Sequence, residues 1–121
     1  MRQFINRMAA AVAAVAVLAT GTAWAQGGFR LYEGNTHTFT AMVYEGQPVR
    51  IEVRGDGDSR ADLDLYVYDR YGRLVAVDND DTDFCIGRWV PNFTGVVTIR
   101  VRNVGYVFND YSLRMWGGNF R

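Results

Sequence analysis

The chain has 121 residues, with 13 Lys+Arg against 13 Asp+Glu, one His and one Cys. That balance gives no whole-molecule case for nucleic acid, and a lone cysteine excludes an internal disulfide framework. Every basic residue is arginine, which also excludes Schiff-base and lysine-nucleophile chemistry.

In chain order, Arg2 and Arg7 form a positive opening, and Ala23-Trp24-Ala25 is a small-x-small ending. Between them Met8 to Leu18 is an apolar run of about 11 residues, where crossing a bilayer takes about 20. This is the grammar of a secretory signal peptide over residues 1–25, with cleavage expected after Ala25. No later stretch is long and apolar enough to span. The mature product is therefore expected in the periplasm or outside the cell, with no stable membrane anchor. Without Arg2 and Arg7 it carries 11 arginines and 13 acids, about −2. Residues 26–35, opening Gln26-Gly27-Gly28, are expected to be a flexible segment, and 36–121 a single domain.

From Thr36 the period is two. Phe39, Ala41 and Val43 alternate with Thr38, Thr40 and Met42. Val49, Ile51 and Val53 alternate with Arg50, Glu52 and Arg54. Leu63, Leu65 and Val67 face one way, and Asp62, Asp64, Tyr66 and Tyr68 the other. Asp69-Arg70-Tyr71-Gly72 has Asp where a type I turn begins and Gly where it ends, so the return strand Leu74 to Asp78 closes a hairpin. Val97, Ile99 and Val101 alternate with Thr98, Arg100 and Arg102; Tyr111, Leu113 and Met115 alternate with Ser112, Arg114 and Trp116. Turn residues fall between these runs, at 45–48, 55–60, 92–95, 103–105 and 117–118. Such alternation marks strands with one buried and one wet face. With no sustained helical period, the pattern predicts an all-β antiparallel sandwich or barrel of seven to eight strands.

Three sets of residues could carry chemistry. The acids Asp56, Asp58, Asp62, Asp64, Asp78, Asp80, Asp81 and Asp83 fall in two loops and their strand ends. Calcium takes about 6 to 8 oxygen ligands, so Asp62, Asp64, Asp78, Asp80, Asp81 and Asp83 are the candidate metal ligands and calcium the candidate ion. The run from Asp78 is not a helix-loop-helix calcium loop: Asp83 stands where glycine is required and Trp89 where glutamate is. The competing reading is Asp and Asn side chains closing turns on nearby amides. Secondly, Arg50, Arg54, Arg100, Arg102 and Arg114 point outward. If their strands adjoin, they form a basic band with Trp116, flanked by Tyr66 and Tyr68, able to grip carboxylates. The competing reading is a solvated face with Glu52 paired to an arginine. Arg54-Gly55-Asp56 is a three-residue integrin-type tripeptide and is treated as coincidence. Thirdly, His37 sits between threonines in a strand, and Cys85 is either buried or free to pair between chains. Neither has a motif supplying a base and an orienting group, and no G-x-S-x-G or H-E-x-x-H occurs, so no catalytic residue is assigned.

Four pieces resemble, in order, the bacterial pre-peptidase C-terminal domain. Glu45-Gly46-Gln47-Pro48-Val49-Arg50-Ile51-Glu52-Val53 is similar to its G-Q-x-V-x-I-x-V strand. Ala61-Asp62-Leu63-Asp64-Leu65-Tyr66-Val67-Tyr68-Asp69, followed by Gly72-Arg73-Leu74-Val75-Ala76, resembles its A-D-L-D-L signature. Phe93-Thr94-Gly95-Val96-Val97-Thr98-Ile99-Arg100-Val101 is similar to T-G-x-Y-x-I-R-V, with Val97 at the tyrosine. Asn109 to Met115 resembles the closing Y-x-L strand. The resemblance implies a jelly-roll-like β-sandwich of the kind found behind secreted peptidases and in the collagen-binding domains of collagenases. Calcium binding in that family draws largely on an acidic N-terminal linker, of which only Glu33-Gly34-Asn35 is an echo. The expected function is an exported, non-catalytic binding module for a protein or extended polymer outside the cytoplasm. The alternatives are an accessory protein docking on a separately encoded secreted peptidase, as stabiliser or inhibitor, and, third, a small hydrolase.

Overall fold

The computed structural model describes residues 24–58 and 60–121. The expected signal peptide therefore lies outside the described residues, except for Trp24 and Ala25. Among the described residues no helix is long and apolar enough to cross a membrane.

Nine strands follow in order: β1 (Trp24–Leu31), β2 (Thr36–Val43), β3 (Val49–Arg54), β4 (Leu63–Tyr68), β5 (Leu74–Asp78), β6 (Phe84–Trp89), β7 (Gly95–Asn103), β8 (Asn109–Trp116) and β9 (Gly118–Phe120). They form two antiparallel sheets, a four-stranded one in the order β1-β8-β3-β6 and a five-stranded one in the order β9-β2-β7-β4-β5. This is the antiparallel β-sandwich the alternation predicts. Nine exceeds the expected seven to eight, and the strands that the alternation did not show are β1 and β9. Where the sequence reading has a flexible segment at 26–35, residues up to Leu31 pair with β8, from Met115↔Trp24 to Asn109↔Leu31, with a bulge between Tyr111 and Leu113. Two glycines in this edge strand hide its pattern from a search for alternation.

The alternating apolar residues meet between the sheets. Ile51 and Val53 of β3, Leu63, Leu65 and Val67 of β4, Ile99 and Val101 of β7, and Leu113 and Met115 of β8 are all fully buried. Each such side chain contributes about 1.5–3 kcal/mol by leaving water. Cys85 of β6 belongs to this core: its Sγ donates to the carbonyl of Leu63 at 3.0 Å, and burial pushes the thiol up. His37 also turns inward, its Nδ1 2.7 Å from the Tyr111 hydroxyl, with Phe29 and Phe39 against the ring.

The hairpin β4–β5 closes as its residues dictate. Gly72 has φ +80°, and its N–H donates to the carbonyl of Asp69 at 3.0 Å. Asp69 is buried and accepts from the N–H groups of Tyr71 and Arg73 and from the Arg73 guanidinium. Burial pushes its carboxyl up, but these donors together outweigh that and hold it below the usual range. Antiparallel connection brings the loops 32–35, 55–62, 79–83 and 104–108 to one end of the sandwich. Of the 13 acids, only Glu45, Glu52 and Asp69 lie away from that end.

Candidate functional site

The acidic end is built around Asn103, the last residue of β7. Its amide is fully buried and donates to the carbonyls of Leu31 (2.9 Å) and Val107 (2.8 Å), while its oxygen accepts from the Gly105 N–H (2.9 Å). Gly105 lies so close to the 55–62 loop that a Cβ would stand 2.6 Å from the carbonyl oxygen of Arg60, so no other residue fits there without movement. These contacts hold the 104–108 loop against its neighbours and present its aromatic side chains to solvent. Tyr106 is 86% exposed and Tyr32 54%. Phe108 lies 6.2 Å from the Tyr32 ring, with the Arg30 guanidinium 4.1 Å above its face. The loops enclose a cleft of about 440 Å³ lined by Tyr32, Tyr106 and Phe108 and by the acids Glu33, Asp56 and Asp58.

The two arginines here are already engaged. Arg30 makes a bidentate pair with Asp110 at 2.8 and 3.0 Å, which holds that carboxyl below the usual range and raises the guanidinium. Arg60 pairs with Asp58, and its guanidinium and backbone N–H together lower that carboxyl too. Among the described residues Glu33 makes no such pair, so the rim stays negative. Sequence reasoning missed Tyr32, Tyr106 and Phe108, because aromatic residues in irregular loops follow no period. Glu33 and the Asn103-Val104-Gly105 turn were the available signals.

The candidate metal ligands divide into three sets. Asp78 accepts from the Ile86 N–H (2.8 Å), Asp80 from the Thr82 N–H and hydroxyl (3.1 and 2.8 Å), and Asp83 from the Gly57 N–H (2.7 Å). Asp80 thus closes its own turn, while Asp78 ties β5 to β6 and Asp83 ties its loop to the 55–62 loop. Asp62 and Asp64, by contrast, each have an Oδ1 buried without a hydrogen bond. Burial comes first in raising both carboxyls; Asp64, Asp81 and Asp80 add to it at Asp62, and Asp80 and Asp78 at Asp64. Asp81 stands exposed in the 79–83 loop. Among the described residues no group of three or more His, Cys, Asp or Glu side chains is already gathered to hold a metal ion.

The candidate arginines lie on two opposite faces. Arg50, Arg54, Arg114 and Trp116 share the outer face of the four-stranded sheet, where Arg114 is opposite Glu52 and Trp116 opposite Arg50. Arg100 and Arg102, with Tyr66 and Tyr68, share the outer face of the five-stranded sheet, where Tyr66 is opposite Arg100 and Asp64 opposite Arg102. On the first face Glu52, only 6% exposed, accepts from Arg50 (2.7 Å) and Arg54 (3.3 Å). Arg50 stacks over Trp116 and Arg54 over Phe84. Register also adds Arg88 to this face, opposite Arg50. On the second face Arg100 lies 5.5 Å over the Tyr68 ring. Asp56 of the integrin-type tripeptide is exposed, and its carboxylate accepts from the N–H groups of Asp58 and Asp110.

No family model matches the chain, and no curated protein matches it in sequence. Solved structures do match in shape. PliG of Aeromonas hydrophila, a periplasmic lysozyme inhibitor of g-type lysozyme, is 14% identical with a TM-score of 0.54, over 88% of this chain and 93% of that one. The lipase BlEst2 of Bacillus licheniformis, solved in propeptide form, is 13% identical with a TM-score of 0.50, over 96% of this chain but 25% of that one. At such identities the likeness is one of fold, and it places this chain among antiparallel β-sandwiches.

Proposed function

We propose that the protein is an exported, non-catalytic binding module, working in the periplasm or outside the cell, whose partner is a protein with a basic surface. The observation that carries this is the loop end: exposed Tyr32, Tyr106 and Phe108 around a cleft, on the end that gathers most of the acids. Rigid aromatic anchors supply most of the energy at protein interfaces, and a surrounding field of one sign steers an oppositely charged partner and raises its association rate. The shared fold with a periplasmic lysozyme inhibitor supports a protein partner and, within that class, a secreted hydrolase. The pre-peptidase resemblance points the same way, toward docking on a separately encoded secreted peptidase as stabiliser or inhibitor. The inward-facing, Tyr111-bonded His37 and the buried Cys85 support a non-catalytic role.

A second surface is favoured by one observation: Arg88 and Arg114 project from the four-stranded sheet without a carboxylate pair of their own among the described residues, which suits an anionic polymer. Periplasmic extract and a panel of purified hydrolases, g-type lysozyme among them, are passed over immobilised native protein, Tyr106→Ala/Phe108→Ala and Arg88→Ala/Arg114→Ala. The loop-end reading expects a basic protein retained by the native and arginine variants, lost from the aromatic variant and released by salt. Equal retention on the aromatic variant sinks it.

A further inference from the structure

We propose that Asp62 and Asp64 form the floor of a binding site for a hard divalent cation, calcium by its ligand number, completed by the 79–83 loop. The two carboxylates are unlike the other acids of this end. Asp64 is 7% exposed, and its Oδ1 and that of Asp62 are both buried with no donor. The remaining Asp64 oxygen has only a long bond from the Tyr66 hydroxyl, 3.3 Å. Arg102, its cross-strand partner, is exposed and forms no ion pair with it. Buried anionic oxygens are ordinarily bonded or paired, and leaving them bare is costly.

The Tyr66 hydroxyl and the Arg102 charge ease Asp64 in part, but the neighbouring carboxylates work against them. Asp62 and Asp64 repel one another, and Asp78, Asp80 and Asp81 add negative charge from β5 and its loop. One water could satisfy a lone pair but would leave the repulsion. A divalent ion removes both. Calcium accepts about 6 to 8 oxygens in adaptable geometry. Beyond the two floor carboxylates, Asn79, Asp80 and Asp81 are exposed, and Asp80 and Asp81 lie near enough to repel Asp62, so their oxygens are the ones that rotation would bring to an ion, with waters completing the shell. Asp80 can do so and keep its turn, because only its Oδ1 is used by Thr82. The gathering is completed by rotation of loop side chains about the fixed floor. The alternative occupant is a proton shared between the floor carboxyls.

The test uses the processed protein alone, so it stands apart from the docking reading. Chelator-treated protein is titrated with calcium chloride by calorimetry, and its unfolding midpoint is measured with calcium and with chelator. One ion per chain is expected, with a midpoint rise of about 5 °C or more at saturation. Asp64→Asn keeps the shape and removes a charge. It should raise the midpoint of the chelated protein, because repulsion falls, and weaken calcium binding about ten-fold or more. Glu45→Gln, at the opposite end, should bind as native. The proposal is overturned by absence of binding heat with an unchanged native midpoint, or by native affinity in Asp64→Asn. If that variant does not fold, Asp62→Asn and the native titration decide.

Discussion

The outer face of the four-stranded sheet and the loop end hold similar side chains, arginines, acids and aromatic rings, yet use them differently. On the sheet face Glu52 is buried beneath Arg50 and Arg54, which in turn lie on Trp116 and Phe84. These five groups answer neighbours set by strand register, so much of the recognition chemistry is consumed internally, with Arg88 and Arg114 the exceptions. At the loop end Arg30 and Arg60 are likewise taken up by Asp110 and Asp58, but Tyr32, Tyr106 and Glu33 are left over. Regular strands place side chains in pairs that can satisfy one another. Loops held by a few backbone contacts place them with no such obligation, and that is where unspent binding capacity collects.

The widest separation of the two regions comes from binding. Tyr106→Ala/Phe108→Ala should weaken partner binding about 30-fold or more, the size expected of a hot spot, and leave the unfolding midpoint nearly unchanged; a large midpoint fall would make these rings structural. Next, Glu52→Gln should cost about 1–2 kcal/mol by urea unfolding, because the arginines above it are partly solvated and lose only part of their partner. Partner binding should not change.

The pH dependence is smaller and has a definite sign. Asp62 and Asp64 have raised carboxyls in the folded state, so the native chain holds more protons than the unfolded one between the ordinary carboxylate range and their raised values. Their contribution to stability therefore rises on mild acidification and is lost as pH climbs through that window. Asp58, Asp69 and Asp110 are lowered and act oppositely, losing stability as pH falls below the ordinary range. Chelated Asp62→Asn/Asp64→Asn should gain less stability than native between neutral pH and about pH 5; equal gains would mean these carboxyls are not the cause. Smallest of all, Arg114→Ala should move stability by under about 0.5 kcal/mol and partner binding by less than about three-fold. A larger loss of binding would transfer the docking site to the arginine face.

Most of the sandwich could be read from the chain because its strands alternate without interruption. Val49 to Arg54 and Val97 to Arg102 put every apolar residue in the core and every charged one on an outer face, where Glu52 alone is then covered by arginines. Asp69 and Gly72 announced their turn, since only local chemistry is needed to make it. What alternation cannot carry is which strands adjoin. Arg50 and Arg100 read alike in sequence and lie on opposite faces, because β3 joins β8 and β6, and β7 joins β2 and β4. The same limit hid the split among the acids: Asp80 is exposed with an amide pointing at it, and Asp64 is buried with none at its Oδ1. The loop aromatics were illegible for a third reason. Their exposure depends on Asn103 reaching across to Leu31, a contact 72 residues apart in sequence.

That reach of Asn103 has a consequence for how a guest would be met. A carboxamide that gives two hydrogens and takes one back leaves the loop little freedom to relax into another shape. The rim is set before any encounter, so the entropy of ordering it falls on folding rather than on association. Recognition here would be of the rigid-body kind, fast in arrival and sensitive to shape, and slow conversion of that single amide to an acid during storage would loosen the whole rim at once.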